Sequence, residues 1–279
     1  MDTSKPVSQN DLYAARVFFN SALPLLKVVI DQSPELRKKF AGKSFVFQVA
    51  ALYPEAEGGK MATHLKAENG VLTCHVSEIH PSPDIEFLFP DLHQFIRFFS
   101  GKGKPLPKMK GAASRFGIFL SLMQALLKMA GLLQAAEPPK SAEDRALLVM
   151  LYFYLLSNGI SQLNKAGEPK IRAWALNSPD RTYAFAVSGY PLLQSYIRVK
   201  EGRTKAGRGA YPRCQPFLTL RFDSPEHALD ILMGRGGMID YMANQYLTVE
   251  GAPEFAALLG EFLFLVGDYA KGNYLDWPA

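Results

Sequence analysis

Cysteine is scarce in this chain of 279 residues: Cys74 and Cys214 are its two thiols. They fall at non-equivalent places in the internal repeat described below, so neither a repeated disulfide nor a metal cage is encoded, and a reducing compartment is expected. Charge is sparse too, at 20% of residues, and long acidic, Gln-rich or Ser-rich tracts are missing, which excludes pervasive disorder. The opening residues MDTSKPVSQND lack the apolar core of a secretory signal, so a cytoplasmic protein is expected. There is no Gly-x-Ser-x-Gly elbow, no HExxH pair and no repeated carboxylate constellation, so no enzyme and no cofactor are expected.

What the chain has is apolar mass, 48% of residues, arranged twice in one design. Ile85, Phe87 and Phe89 alternate as in a strand, Pro90-Asp91 breaks it, and an amphipathic helix runs to Gly101. Leu218, Leu220 and Phe222 alternate likewise, Asp223-Ser224-Pro225 opens a helix, and Gly234 closes it. Phe89 to Gly101 and Phe222 to Gly234 are the same distance apart. Farther on, Lys110-Gly111-Ala112 with Phe116 matches Glu250-Gly251-Ala252 with Phe255, each before a long apolar helix. An internal duplication with domains at 1–137 and 138–279 follows, the boundary lying in the connector QAAEPPKSAEDR from Gln134 to Arg145.

In chain order, a helix is expected over residues 10–30 with a kink at Pro24, then a short basic helix after Ser33-Pro34. Strands are expected at 44–50, 61–66 and 71–76, the last two joined by Glu68-Asn69-Gly70. In the second copy the pattern predicts a helix over 146–162 and strands at 171–176, 183–187 and 193–199. The two long apolar helices are Phe116 to Leu133 and Ala252 to Tyr269. A tail with Tyr274, Leu275 and Trp277 is expected to fold back onto a surface.

The segments DIEFLFPDLHQFIRFFSGKGKPLPKMKGA, FLTLRFDSPEHALDILMGRG and YLTVEGAPEFAALLGEFL resemble the sterol carrier protein, or non-specific lipid-transfer, domain family in both copies. The resemblance implies an α+β fold of two sterol-carrier-like domains, each a mostly antiparallel sheet of about five strands covered by helices. It implies no catalytic centre. It implies an apolar tunnel for a fatty acid, acyl chain, sterol or isoprenoid, lined here by Phe95, Phe98, Phe99, Phe116, Phe119, Met123, Leu127, Phe255, Leu259 and Phe262. The same side chains could simply fill a core, and the alternative function is a helper or structural protein that binds another protein with no ligand.

Other signals are weaker. Ala41-Gly42-Lys43-Ser44 ends like a phosphate loop, but Arg37 stands where its first glycine belongs and the segment runs from helix to strand. Gly101-Lys102-Gly103 and the glycines at 234–237 read as helix ends. Cys74, Glu78 and His80 share parity with His75 adjacent, yet no second ligand pair has diagnostic spacing, so no metal site is expected. His93 and His227 read as exposed surface histidines. The basic segment with Arg198, Lys200, Arg203, Lys205, Arg208 and Arg213 reads as a solvated loop or, failing that, a contact for anionic membranes. A smaller basic group holds Lys102, Lys104, Lys108, Lys110 and Arg115. Tyr211 is the lone stacking side chain in these runs, so nucleic acid is not expected. A helical hairpin through a membrane is disfavoured by Lys128 and by the charged faces of the matching helices.

Overall fold

A computed structural model describes residues 6–103 and 106–276. They form an α+β chain with two five-stranded mixed sheets packed with helices. Among the described residues one unit runs to Leu127 and includes residues 267–276; the other is Lys128–Val266.

In the first unit, helix α1 (Gln9–Val17) starts one residue ahead of the expected Asn10. The Ser8 hydroxyl accepts from Asp11 N and the Asp11 carboxylate accepts from Ser8 N, a reciprocal cap. Pro24 does more than kink the helix. Because it has no N–H to give, the backbone widens into a π turn at Phe18–Ala22, with Leu23 N donating to the Phe18 carbonyl at 2.9 Å. Helices α2 (Leu25–Gln32) and α3 (Pro34–Phe40) follow. The strands are β1 (Phe45–Leu52), β2 (Lys60–Glu68), β3 (Val71–Val76), β4 (Ile85–Phe89) and β5 (Lys108–Lys110), with helix α4 (Leu92–Phe99) after β4. Their order is β3-β2-β1-β4-β5; β1 and β4 are parallel and the other pairs antiparallel. Asn69 and Gly70, both at positive φ, make the expected two-residue turn. Helix α5 (Phe116–Leu133) has the bounds read from the sequence.

In that sheet, alternation decides the two faces. Phe47, Val49, Phe87 and Thr63 point to the helices, where the Thr63 hydroxyl donates to the Phe19 carbonyl. Gln48, His64 and Glu86 point the other way and are buried as well.

The second unit opens with α6 (Ala142–Ala166), longer at both ends than the 146–162 predicted, capped by Ser141 and ended by Gly167 at φ 83°. The strand predicted at 171–176 is a helix, α7 (Pro169–Asn177). Glu168 caps it by accepting from Ile171 N, Pro169 sits at its first position, and Ile171 and Ala175, one helical turn apart, are its buried pair. Strands β6 (Arg181–Val187) and β7 (Tyr190–Lys200) follow. The basic loop predicted from Lys200 to Arg213 contains a strand, β8 (Arg203–Arg208), turned back onto β7 by Glu201-Gly202 at positive φ. Then come β9 (Leu218–Phe222), α8 (Pro225–Leu232), α9 (Met238–Ala243), β10 (Leu247–Gly251) and α10 (Ala256–Lys271). The sheet order is β10-β9-β6-β7-β8 with β6 and β9 parallel, which read backwards is the order and sense of the first sheet. Phe153 of α6 packs on Phe185 and Phe222, and its carbonyl accepts from the Ser195 hydroxyl.

The unit boundary lies ten residues ahead of the 137/138 read from the sequence, and the C-terminal residues join the first unit rather than the second. Ion pairs explain the first shift: Lys128 with Asp144, Glu137 with Arg235 and Arg145 with Glu226 stitch the connector to the second unit. Two tyrosines explain the second. Tyr269 donates to Asn10 and Tyr274 donates to Asp11 at 2.8 Å, so Tyr274 folds back as expected, and burial pushes its hydroxyl far up in pKa. Trp277 lies outside the described residues, as does Lys104.

Candidate functional site

The ten side chains assigned to an apolar tunnel divide into two groups. Phe95 is fully buried, stacked on Phe19 with ring centroids 4.0 Å apart and edged by Phe18 and Phe89. Phe98 and Phe99 are half-buried against Phe89. Leu259 and Phe262 are buried, the latter against Trp174, and Phe255 packs on Phe217 with the Arg181 guanidinium over its ring. These six have protein neighbours. The four on α5 differ. Phe116 is 60% and Leu127 66% exposed, and Phe119 and Met123 are half-buried.

Helix α5 is therefore unusual. Among the described residues three helical stretches are long and apolar enough to cross a membrane, over residues 9–32, 116–133 and 142–166; the apolar windows of the first and third are 89% and 83% buried, that of α5 only 22%. Leu120 adds to its open face, and Phe119 carries the face onto the sheet through Phe87, whose cross-strand partner Met109 is also exposed. An amphipathic helix would turn polar groups outward here. This one turns out phenylalanine and leucine.

The second feature is a polar row across the far face of the first sheet: His75, His64, Gln48, Glu86 and Lys110, one from each strand in register. Gln48 Nε2 donates to Glu86 Oε1 at 2.7 Å, Lys60 Nζ stands 3.0 Å from the same oxygen, and Lys110 lies 3.4 Å from the other. Burial pushes the Glu86 carboxyl up, but the bonds from Lys60 and Gln48, with the charge of Lys110, outweigh it and hold the group below its ordinary range. Gln48 Oε1 accepts from His80 N. His64 Nδ1 faces the Glu78 carbonyl at 3.1 Å, its ring stacks on His75 at 4.6 Å, and His80 meets it edge-on. Burial is the main cause that lowers the pKa of His64. Cys74 pairs with Leu65 in register and so belongs to the helix face, not to the grouping with Glu78 and His80 that parity suggested.

His64 was missed in the sequence because it lies on a different strand from the others. A signal existed: His64 is as far before Asn69 as His75 is after Gly70, and a two-residue turn makes such positions partners. In the second sheet the equivalent row reads Gly207, Tyr196, Ala184, Thr219 and Glu250. Tyr196 fills the space over Gly207 and stacks edge-on with Tyr211.

The third feature is basic. Arg198, Lys200, Arg203 and Lys205 share the outer face of β7 and β8, whereas Arg208 sits on the opposite face over the Tyr154 ring and Arg213 follows in a loop. Arg198 is not free for a ligand, being held by both oxygens of Asp180 at 3.0 and 2.6 Å. His93 and His227, expected on the open surface, are half-buried: His93 Nδ1 lies 3.9 Å from Asp11, and His227 bonds Asp223 and stacks on Tyr246. A pocket of about 500 Å³ lined by Asn164, Arg172, Gly202 and Thr204 lies at the C-terminal end of α6.

No family model matches the chain, and no curated protein matches it. Among solved structures it is similar to the solution structure of a conserved hypothetical protein of Thermus thermophilus, described as a possible sterol carrier protein. The identity is 15%, the match covers 50% of this chain and 92% of that one, and the TM-score is 0.29.

Proposed function

We propose that this chain is a non-enzymatic carrier that binds a hydrophobic ligand (an acyl chain, a sterol or an isoprenoid) along the apolar face of α5, within a tandem of two sterol-carrier-like domains. One observation carries the reading: an 18-residue helix apolar enough to cross a membrane keeps only 22% of itself inside the protein. Such a face is costly in water and invites a greasy guest. Burying about ten methylenes on it is worth roughly 8 kcal/mol before association costs are subtracted. Phe95, fully buried against Phe18, Phe19 and Phe89, supports a ligand on α5 and Met109 rather than one threaded between α4 and α1.

Organic extraction of the purified protein followed by mass spectrometry tests this. Stoichiometric lipid is expected. Protein that stays empty and has no affinity for a fluorescent fatty acid overturns it, and an empty protein that self-associates through Phe116 and Leu127 would favour the alternative of an interaction protein with filled cores.

A further inference from the structure

The cluster on the far face of the first sheet is independent of that reading. We infer that His64, His75 and Glu78, with His80 beside them, form a binding site for a divalent cation of the zinc class.

Geometry carries the argument. His64 and His75 are cross-strand partners, so their side chains leave the same face side by side. The chain then turns through Ser77, at positive φ, and brings the Glu78 carbonyl to His64 Nδ1 and the Glu78 carboxylate to His75 Nδ1. One donor atom from each of the three lies within 4.8 Å of the others. Ligands of a tetrahedral zinc ion at about 2.0–2.2 Å from the metal stand roughly 3.4 Å from one another. His75 Nδ1 and Glu78 Oε2 already stand 3.4 Å apart. The remaining contraction falls to His75 and Glu78, which are 37% and 61% exposed, because His64 is buried with Nδ1 at the Glu78 carbonyl.

The donor set selects the ion. Two imidazoles and a carboxylate are borderline ligands that suit zinc, cobalt or nickel; magnesium and calcium want oxygen alone. His80 lies beside them with ring centroids 5.3 Å from His64; its Nδ1 accepts from Ser82 N, so water or His80 Nε2 is left for the fourth position. The matching places in the second sheet hold Tyr196 and Gly207, an aromatic ring lying over a glycine, so the paired imidazoles are particular to the first sheet. A bound ion would fasten the 77–84 segment to the sheet, next to the Gln48 amide that already receives His80 N.

The test uses the full chain, free of any affinity tag, stripped with a chelator and then titrated with Zn²⁺ and with Co²⁺. One equivalent per chain is expected, with visible ligand-field absorption for Co²⁺ and a rise in melting temperature with Zn²⁺ that Mg²⁺ does not give. His75→Ala and Glu78→Gln, at partly exposed positions, should each weaken binding at least about tenfold while leaving the fold intact by circular dichroism. Cys214→Ser should bind as the parent does. A parent protein that retains no zinc at micromolar concentration overturns the inference. So does zinc binding that survives both His75→Ala and Glu78→Gln, or that depends on Cys74 or Cys214.

Discussion

Gly111 lies so close to Asp84 that a Cβ added to it would stand 1.8 Å from the Asp84 carbonyl oxygen. Gly251 meets Phe217 in the same way at 2.1 Å, and both glycines hold positive φ, 76° and 99°. Asp84 and Phe217 are the residues just before β4 and β9, the strands that pair in parallel. In both sheets, then, the fifth strand ends by pressing its backbone on the entry to the fourth. Alanine at either place needs a shift of main chain as well as a strained φ, and each substitution is expected to cost about 3 kcal/mol. Urea denaturation checks this; an unchanged midpoint for Gly111→Ala would show that the edge strand yields at no cost.

Glu86 sets an acid limit. Its folded pKa lies below the ordinary 4.5, so its contribution is fully present above that value and is lost as pH falls through the folded pKa. Glu86→Gln should lower stability at neutral pH by about 2–3 kcal/mol, since Lys60 and Lys110 lose their partner, and should flatten the melting temperature below pH 4.5. A parallel decline in parent and variant on acidification would place the acid sensitivity elsewhere.

The two groups of apolar residues should separate by mutation. Leu127→Gln and Phe116→Ser change exposed positions, so stability is expected to move by about 0.5 kcal/mol or less while bound lipid falls about tenfold. Phe95→Ala should cost about 3–5 kcal/mol by opening a cavity beside Phe19. Calorimetry alongside quantitative extraction reads both. Lipid loss confined to Phe95→Ala would move the ligand inside, under α4.

The basic edge divides similarly. Replacing Arg203 and Lys205 by Gln should weaken flotation with anionic vesicles and soften its salt dependence, at about 1 kcal/mol per residue. Arg198→Gln should matter little to binding because Asp180 occupies it. Equal flotation of the parent and the Arg203/Lys205 variant would discount a membrane role for this face.

The architecture was largely legible because alternation and helix ends are local signals. Ile85 to Phe89 and Leu218 to Phe222 announce themselves as strands, and α5 begins and ends where its apolar run does. What escaped was decided by single contacts. Glu168 turned an apparent strand into α7 by accepting one N–H, and Glu201-Gly202 turned a charged loop into β8. The three residues of β5 hold no pattern to read; their strand state comes from pairing with β4. At the site, the sequence showed that α5 was greasy on most sides but not which sides stay open. His64 reached its cluster only through pairing across a turn.

Pro24 reaches farther than the helix it interrupts. The π turn ahead of it presents Asn20 to Ser77, and the two side chains exchange hydrogen bonds at 2.9 and 3.0 Å, each donating to the other across 57 residues of chain. Ser77, at positive φ, is where the chain turns toward Glu78 and His80. A missing amide proton near the start of the chain thus acts as a remote setscrew, and swapping that proline for alanine would loosen the grip on a segment more than fifty residues further along.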